Sequence, residues 1–266
     1  MTYITKRQKK YNRRKKRWRR LIGGLCVCLL GVTGKVALDQ YEHKSVVDLP
    51  AENSNGSKSL VEQNPQNIPE YTGEGYVVLN QGIPDFNSWD ISHIKGETYS
   101  KLDSLGRCGT AVAKLKQSMM PAKKRGEIGQ IRPTGWCQAK YKGIVKSNPP
   151  YLYNRCHLIA YALTGQNANE KNLITGTRYM NATSMLPWEK KVMQYLDTSN
   201  NSVLYRVTPY FAGNELLARS VEIEAYSVED HGKGVCIHVF VYNVQPGIKI
   251  DYATGKSSAD NKGNLW

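Results

Sequence analysis

Three runs in the last third of the chain alternate apolar and other residues with a period of two. They are Val203, Tyr205 and Val207; Val221, Ile223 and Ala225 with Glu222 and Glu224 between them; and Val235, Ile237, Val239 and Val241. A period of two sends neighbouring side chains to opposite faces of an extended chain, so this stretch is committed to a sheet. His231-Gly232-Lys233-Gly234 supplies the turn between the last two runs, and a short turn joins antiparallel strands. Residues 187–196 have helical spacing instead, with Pro187 in the first turn and Trp188, Val192, Tyr195 and Leu196 on one face. Tyr76-Val77-Val78-Leu79-Asn80 reads as a short strand ended by Gly82 and Pro84. Leu105, Val112, Leu115 and Met119 predict a helix over residues 107–120, stopped by Pro121. The class these elements imply is α+β, a mostly antiparallel sheet with flanking helices. No internal repeat, Walker-type loop or dinucleotide glycine pattern is present.

The charge is unevenly placed. Residues 1–20 hold eleven of the 37 Lys and Arg and no acid, so most of the formal net charge of +15 belongs to this tail. Charge alone therefore does not mark the folded body as a nucleic-acid binder. An apolar run from Leu21 to Gly34 follows directly, and a basic segment before a short apolar one is the pattern of an export signal. If Lys35 snorkels, residues 21–38 suffice for a signal anchor in the membrane; cleavage after Gly34 is also permitted. Both readings keep residues 1–20 as a cytoplasmic tail and send the C-terminal body outside, membrane-bound or secreted. Residues 39–70 are polar and broken by Pro50, Pro65 and Pro69, which reads as a flexible linker before a folded domain at 71–266.

Within that domain the most chemically loaded stretch is Asn154-Arg155-Cys156-His157-Leu158-Ile159-Ala160, followed by Asn172 and Asn181. Phosphodiester hydrolysis needs a base for water, a cation against the charge that builds on phosphorus and the leaving oxygen, and often an arginine to hold the phosphate. His157, a metal at Asn181, and Arg155 have the chemistry for those roles. A hard cation such as Mg²⁺ keeps most of its waters and needs few protein oxygens, so a single asparagine carbonyl is enough. Asn181 is expected on a helix that begins near residues 173–175.

This stretch, with Asn172-Leu173-Ile174-Thr175-Gly176-Thr177 and Tyr179-Met180-Asn181 behind it, resembles the Asp-Arg-Gly-His motif region of the DNA/RNA non-specific endonucleases of the ββα-metal superfamily. The likeness is strongest to the DNA-entry and secreted nucleases of Gram-positive bacteria. It extends through Leu105-Gly106-Arg107, Met120-Pro121, Arg132-Pro133-Thr134-Gly135-Trp136, Trp188-Glu189-Lys190-Lys191-Val192, Tyr205-Arg206-Val207-Thr208-Pro209 and Asn243-Val244-Gln245-Pro246-Gly247. The resemblance implies a ββα-metal core and Mg²⁺-dependent cleavage of DNA, and of RNA, to 5′-phosphate ends, with Mn²⁺ as a substitute cation. It also implies His157 as general base, Asn181 as direct metal ligand, and Glu189 holding the metal's water shell. Asn172 would support the site, and Arg155 would contact or orient the scissile phosphate.

Two positions depart from the motif: Asn154 stands where Asp is usual, and Cys156 where Gly is usual. Asn154 keeps an acceptor for a structural hydrogen bond while losing the charge. A Cys156–His157 nucleophile pair is disfavoured because neighbours on an extended segment point to opposite faces. The spacing of Cys108, Cys137, Cys156 and Cys236 includes no metal-binding pair, and one or two disulfides among them are open. His93 and His238 show no acid-base company in sequence. Lys123-Lys124-Arg125, Arg132, Lys140 and Lys142 make residues 121–143 the most basic part of the body, either a solvated face or a DNA-contacting loop with Arg125 and Arg132 on phosphate. The alternative to an endonuclease is a catalytically weak nucleic-acid receptor on the same fold.

Overall fold

The computed structural model describes residues 69–260, so the expectations for residues 1–20 and 21–38, and for all but the end of the linker, lie outside the described residues. Six strands form one antiparallel sheet: β1 (Tyr76–Val78), β2 (Glu97–Tyr99), β3 (Ala111–Leu115), β6 (Val203–Tyr210), β7 (Ser220–Ser227) and β8 (Cys236–Tyr242). Their order is β1-β8-β7-β6-β3-β2. Separate from it, β4 (Tyr153–His157) and β5 (Leu173–Thr177) pair as an antiparallel ribbon with His157 opposite Leu173 and Tyr153 opposite Thr177. A small hairpin, β9 (Ile248–Ile250) with β10 (Ser257–Ala259), closes the described chain.

The period-two runs do what their pattern demands. Tyr205, Val207, Ile223, Ala225, Ile237 and Val239 all face one side of the sheet and are buried there. Against that side pack Cys156 and Ile174 of the ribbon, and Val192 and Leu196 of the helix Leu186–Thr198. The helix expected over residues 187–196 is thus present, with Pro187 in its first turn.

The other side of the sheet carries the polar halves of the same runs. Arg206 grips Glu224 with two N–H groups, at 2.5 and 2.9 Å, and also donates to the Asp85 carbonyl. His238 Nε2 lies 2.5 Å from Glu222, and its Nδ1 lies 2.8 Å from the Ile83 carbonyl. These contacts strap residues 80–93 across that side. The expectation that His238 lacks acid-base company is corrected here: its partner comes from the neighbouring strand, which spacing along one strand does not reveal. Glu222, Glu224 and His238 bring ligand-type atoms within 4.8 Å of one another. Each of these atoms already has a protein partner, and Arg206 supplies the positive charge among them.

The helix predicted over residues 107–120 is not formed. Residues 102–110 make a turn, 111–115 are β3, and only Gln117–Met119 form a single 3-10 turn. Asp103 decides the turn by accepting from the backbone N–H groups of Leu105 and Arg107 and from the Arg107 side chain, while Gly106 adopts φ 78°. β3 lies in the interior of the sheet, between β2 and β6, so Ala111, Ala113 and Leu115 are buried on one face and Val112 on the other. With both faces covered, apolar residues lose their alternation and mimic a helical run.

Candidate active site

The ribbon, and the helix that follows it, build the site. Residues 173–175, where a helix was expected to begin, are strand: Leu173-Ile174-Thr175-Gly176-Thr177 is buried throughout because both faces of the ribbon are covered. The chain turns helical only after Thr177, whose hydroxyl accepts from the Met180 N–H and donates to the Val244 carbonyl. Asn243 secures the same corner, accepting from the Thr177 N–H at 2.8 Å and donating to the Thr175 and Ala218 carbonyls. Gln245 accepts from the Tyr179 N–H. The sequence reading gave no role to these residues, although Asn243 and Gln245 lie in a segment that carried the resemblance.

Asn181 sits in a π-helical stretch, Met180–Met185, that runs into the helix Leu186–Thr198. π-helical turns are uncommon and gather at functional sites. Glu189, eight residues further along the same helix, interacts electrostatically with Cys156. Among the described residues, neither the Asn181 amide nor the Glu189 carboxylate has a hydrogen-bond partner. Glu189 is nine-tenths buried, and burial alone pushes its carboxyl up to about 7. A buried carboxylate with no protein donor, on the same helix as a free amide oxygen, fits a hydrated hard cation better than it fits the bare protein.

His157 ends β4 and is buried. Its Nε2 lies 2.9 Å from the Asn167 carbonyl, which can only accept. Nε2 therefore carries the proton of the neutral ring, and Nδ1 keeps the lone pair. Burial lowers the imidazole to about 4, opposed by its bonds to the backbone of Asn167 and Gln166 and assisted by the positive charge of Arg125. The ring is a neutral acceptor at pH 7, the state a general base requires.

The remaining expected residues fall into two groups. Asn172 is fully buried, accepts from the Ile159 N–H at 2.8 Å and donates to the Ile159 carbonyl at 3.0 Å. It fixes the backbone just beyond His157 and touches nothing that reacts, so its place is positional and not catalytic. Arg125 lies on the basic loop close enough for its charge to reach both His157 and Cys156. Arg132, exposed on the same loop, lies beside Arg155. Arg155 points into that loop, donating to the Ile131 carbonyl and, at 2.7 Å, to the Gly129 carbonyl, with its guanidinium 4.3 Å from the centre of the Trp136 ring. Lys140 lies over the Tyr151 ring.

Cys156 faces away from His157, its sulfur 3.5 Å from that of Met185, and burial holds the thiol far above its ordinary range. It is no nucleophile. Its bulk is accommodated by Gly176 across the ribbon, where an added Cβ would come within 2.7 Å of the Cys156 Cβ. Cys108, Cys137, Cys156 and Cys236 are all free thiols, which settles the open question of disulfides among them. Asn154 makes no side-chain hydrogen bond among the described residues, so the structural bond expected of it is not formed. His93 stacks on Trp89 in the short helix Ser88–His93, whose Asp90 approaches Arg206 on the opposite side of the sheet from the ribbon.

The family model for DNA/RNA non-specific endonucleases matches residues 87–229, more than half of the chain. The chain belongs to this family. A deoxyribonuclease of Streptococcus dysgalactiae subsp. equisimilis is 38% identical over 112 residues, 40% of this chain and 32% of that protein, so the match spans about a third of that relative's length. NucA of Streptococcus agalactiae, solved with a magnesium ion bound, superposes with a TM-score of 0.62 at 25% identity, covering 73% of this chain and 93% of that one. The Sda1 nuclease, solved with a bound zinc ion, gives a TM-score of 0.54 at 27% identity over 63% of this chain and 83% of that one. The ribbon and following helix are thus the ββα-metal unit that family members share.

Proposed function

We propose that this protein is a Mg²⁺-dependent endonuclease that hydrolyses DNA, and RNA, without sequence preference, and that it works outside the cell membrane. The observation that carries the reading is the pairing of a neutral, buried His157 having a free Nδ1 with two unpartnered oxygen donors, Asn181 and Glu189, on one ββα unit. Asn181 would ligate the cation and Glu189 would hold its water shell. An all-oxygen donor set suits Mg²⁺, with Mn²⁺ as a substitute. The cation, when bound, neutralises charge on the phosphate and on the departing oxygen.

The protein's own groups do the rest. His157 Nδ1 takes a proton from a water whose oxygen forms the new bond to phosphorus, while the Asn167 carbonyl holds the opposite edge of the ring and fixes its tautomer. The P–O3′ bond breaks, the departing 3′-oxygen takes a proton from solvent, and the fragments end in 5′-phosphate and 3′-hydroxyl. Arg125 and Arg132 would contact phosphates, and such contacts read no base, which accounts for the lack of sequence preference. The basic tail and apolar run before the folded domain support a membrane anchor or a cleaved export signal.

Degradation of plasmid DNA and of RNA by the purified protein, with Mg²⁺ and with a chelator, tests the reading. General-base catalysis contributes roughly 10²- to 10⁴-fold, so His157→Ala should lose about that much while binding of DNA and Mg²⁺ persists. Imidazole should restore part of the His157→Ala activity and none of the Asn181→Ala activity; the latter variant should instead need more Mg²⁺. Wild-type protein that binds DNA but leaves it intact at every Mg²⁺ concentration would favour a receptor over an enzyme.

A further inference from the structure

We infer that Arg155 is a positioning residue that latches the basic loop over the site, and that it is not a ligand of the scissile phosphate. This rests on the nuclease reading above only for its effect on activity; the latch itself is a property of the fold. Arg155 sits on the same face of β4 as His157, two residues before it. Its Nε and Nη2 form the edge that an arginine offers side-on to a phosphate, and that edge is taken by the Ile131 and Gly129 carbonyls. The flat of the guanidinium is covered by Trp136.

The loop needs such a latch. Between the 3-10 turn ending at Met119 and β4 beginning at Tyr153, the chain has no helix or strand. Its start is held by the Tyr161 hydroxyl on the Lys123 carbonyl, and its later part by the Thr175 hydroxyl on the Thr134 carbonyl. Between those points the chain carries Gly126 and Gly129, and is seated by Ile128 and Ile131 against Leu173. Arg155 adds charged hydrogen bonds to the middle of that span. The span carries Arg125, whose charge reaches His157. Losing the latch would release the cations that face the substrate while leaving the ββα unit folded.

Lysine separates the two roles. A lysine keeps the charge and can serve a phosphate as a point charge, but it lacks the planar fork that reaches two carbonyls and stacks on an indole. In the full-length, metal-free protein without DNA, trypsin cleavage after Lys123, Lys124 and Arg125 would be followed by mass spectrometry for wild type, Arg155→Lys, Arg155→Gln and Trp136→Leu. The latch predicts loop cleavage about tenfold faster in all three variants, with Tm within a few degrees of wild type. It also predicts that Arg155→Lys loses activity as Arg155→Gln does, mainly through a raised KM. Loop cleavage at the wild-type rate in both Arg155 variants, or near-native turnover in Arg155→Lys alone, would overturn the latch and return Arg155 to the phosphate. Should the Arg155 variants not fold, Trp136→Leu decides by the same loop readout. Inactivity of the wild-type enzyme would sink the nuclease reading and leave the cleavage comparison intact.

Discussion

Removing the charge of Glu189 should stabilise the metal-free protein while weakening its response to Mg²⁺. Burial pushes this carboxyl from an ordinary 4.5 up to about 7. The unfolded chain therefore ionises first. Stability is full below pH 4.5, falls as the pH climbs towards 7, and stays reduced above that. A gap of that size at about 1.4 kcal/mol per pKa unit gives a cost of about 3 kcal/mol at pH 8, of which water penetration and local relaxation leave roughly 2 kcal/mol. Glu189→Gln is nearly isosteric and has no charge to bury. In a chelator at pH 8 its Tm should exceed that of wild type by roughly 4–8 °C, and at pH 4.5 the two should nearly coincide. Added Mg²⁺ should raise the Tm of wild type more than that of the variant. Thermal unfolding followed by circular dichroism at both pH values gives the answer. An equal gain at both pH values, or no gain at pH 8, would refute the argument that an unpartnered carboxylate is the source of the strain.

Asn172→Ala removes both bonds to the Ile159 backbone and leaves two buried backbone groups unpaired, so urea unfolding should show a loss of roughly 2–4 kcal/mol; a loss under about 1 kcal/mol would count against its place in the fold. Gly176→Ala brings a Cβ against that of Cys156 and should cost about 1–3 kcal/mol, and adding Cys156→Gly should recover at least half of it; additive effects in this double-mutant cycle would contradict the contact. Asn154→Asp should change plasmid cleavage by less than about tenfold, since the Asn154 side chain makes no hydrogen bond to the described protein. A much larger gain would show that the native asparagine restrains catalysis.

The sheet could be read from the chain alone because β6, β7 and β8 are long and one of their faces is continuously apolar, so the period of two survives in the sequence. The helix Leu186–Thr198 was equally legible, having one apolar stripe and a proline in its first turn. β3 and β5 were misread as helical because both their faces are covered, and burial on two sides erases the alternation that marks a strand. The residues with chemistry to offer, His157, Asn181 and Glu189, were visible as a motif and as a resemblance. Their states were not. That Nδ1 of His157 is the free nitrogen depends on the Asn167 carbonyl, ten residues away. That Glu189 has no donor depends on what the helix and the sheet leave around it. Arg155 shows the limit most clearly: its identity and its place beside His157 are fixed by sequence, but whether its fork meets a phosphate or two loop carbonyls is decided by how a loop more than twenty residues upstream folds back onto β4. Covalent order sets which groups a segment carries, and only packing sets which of them remain unpaired and able to react.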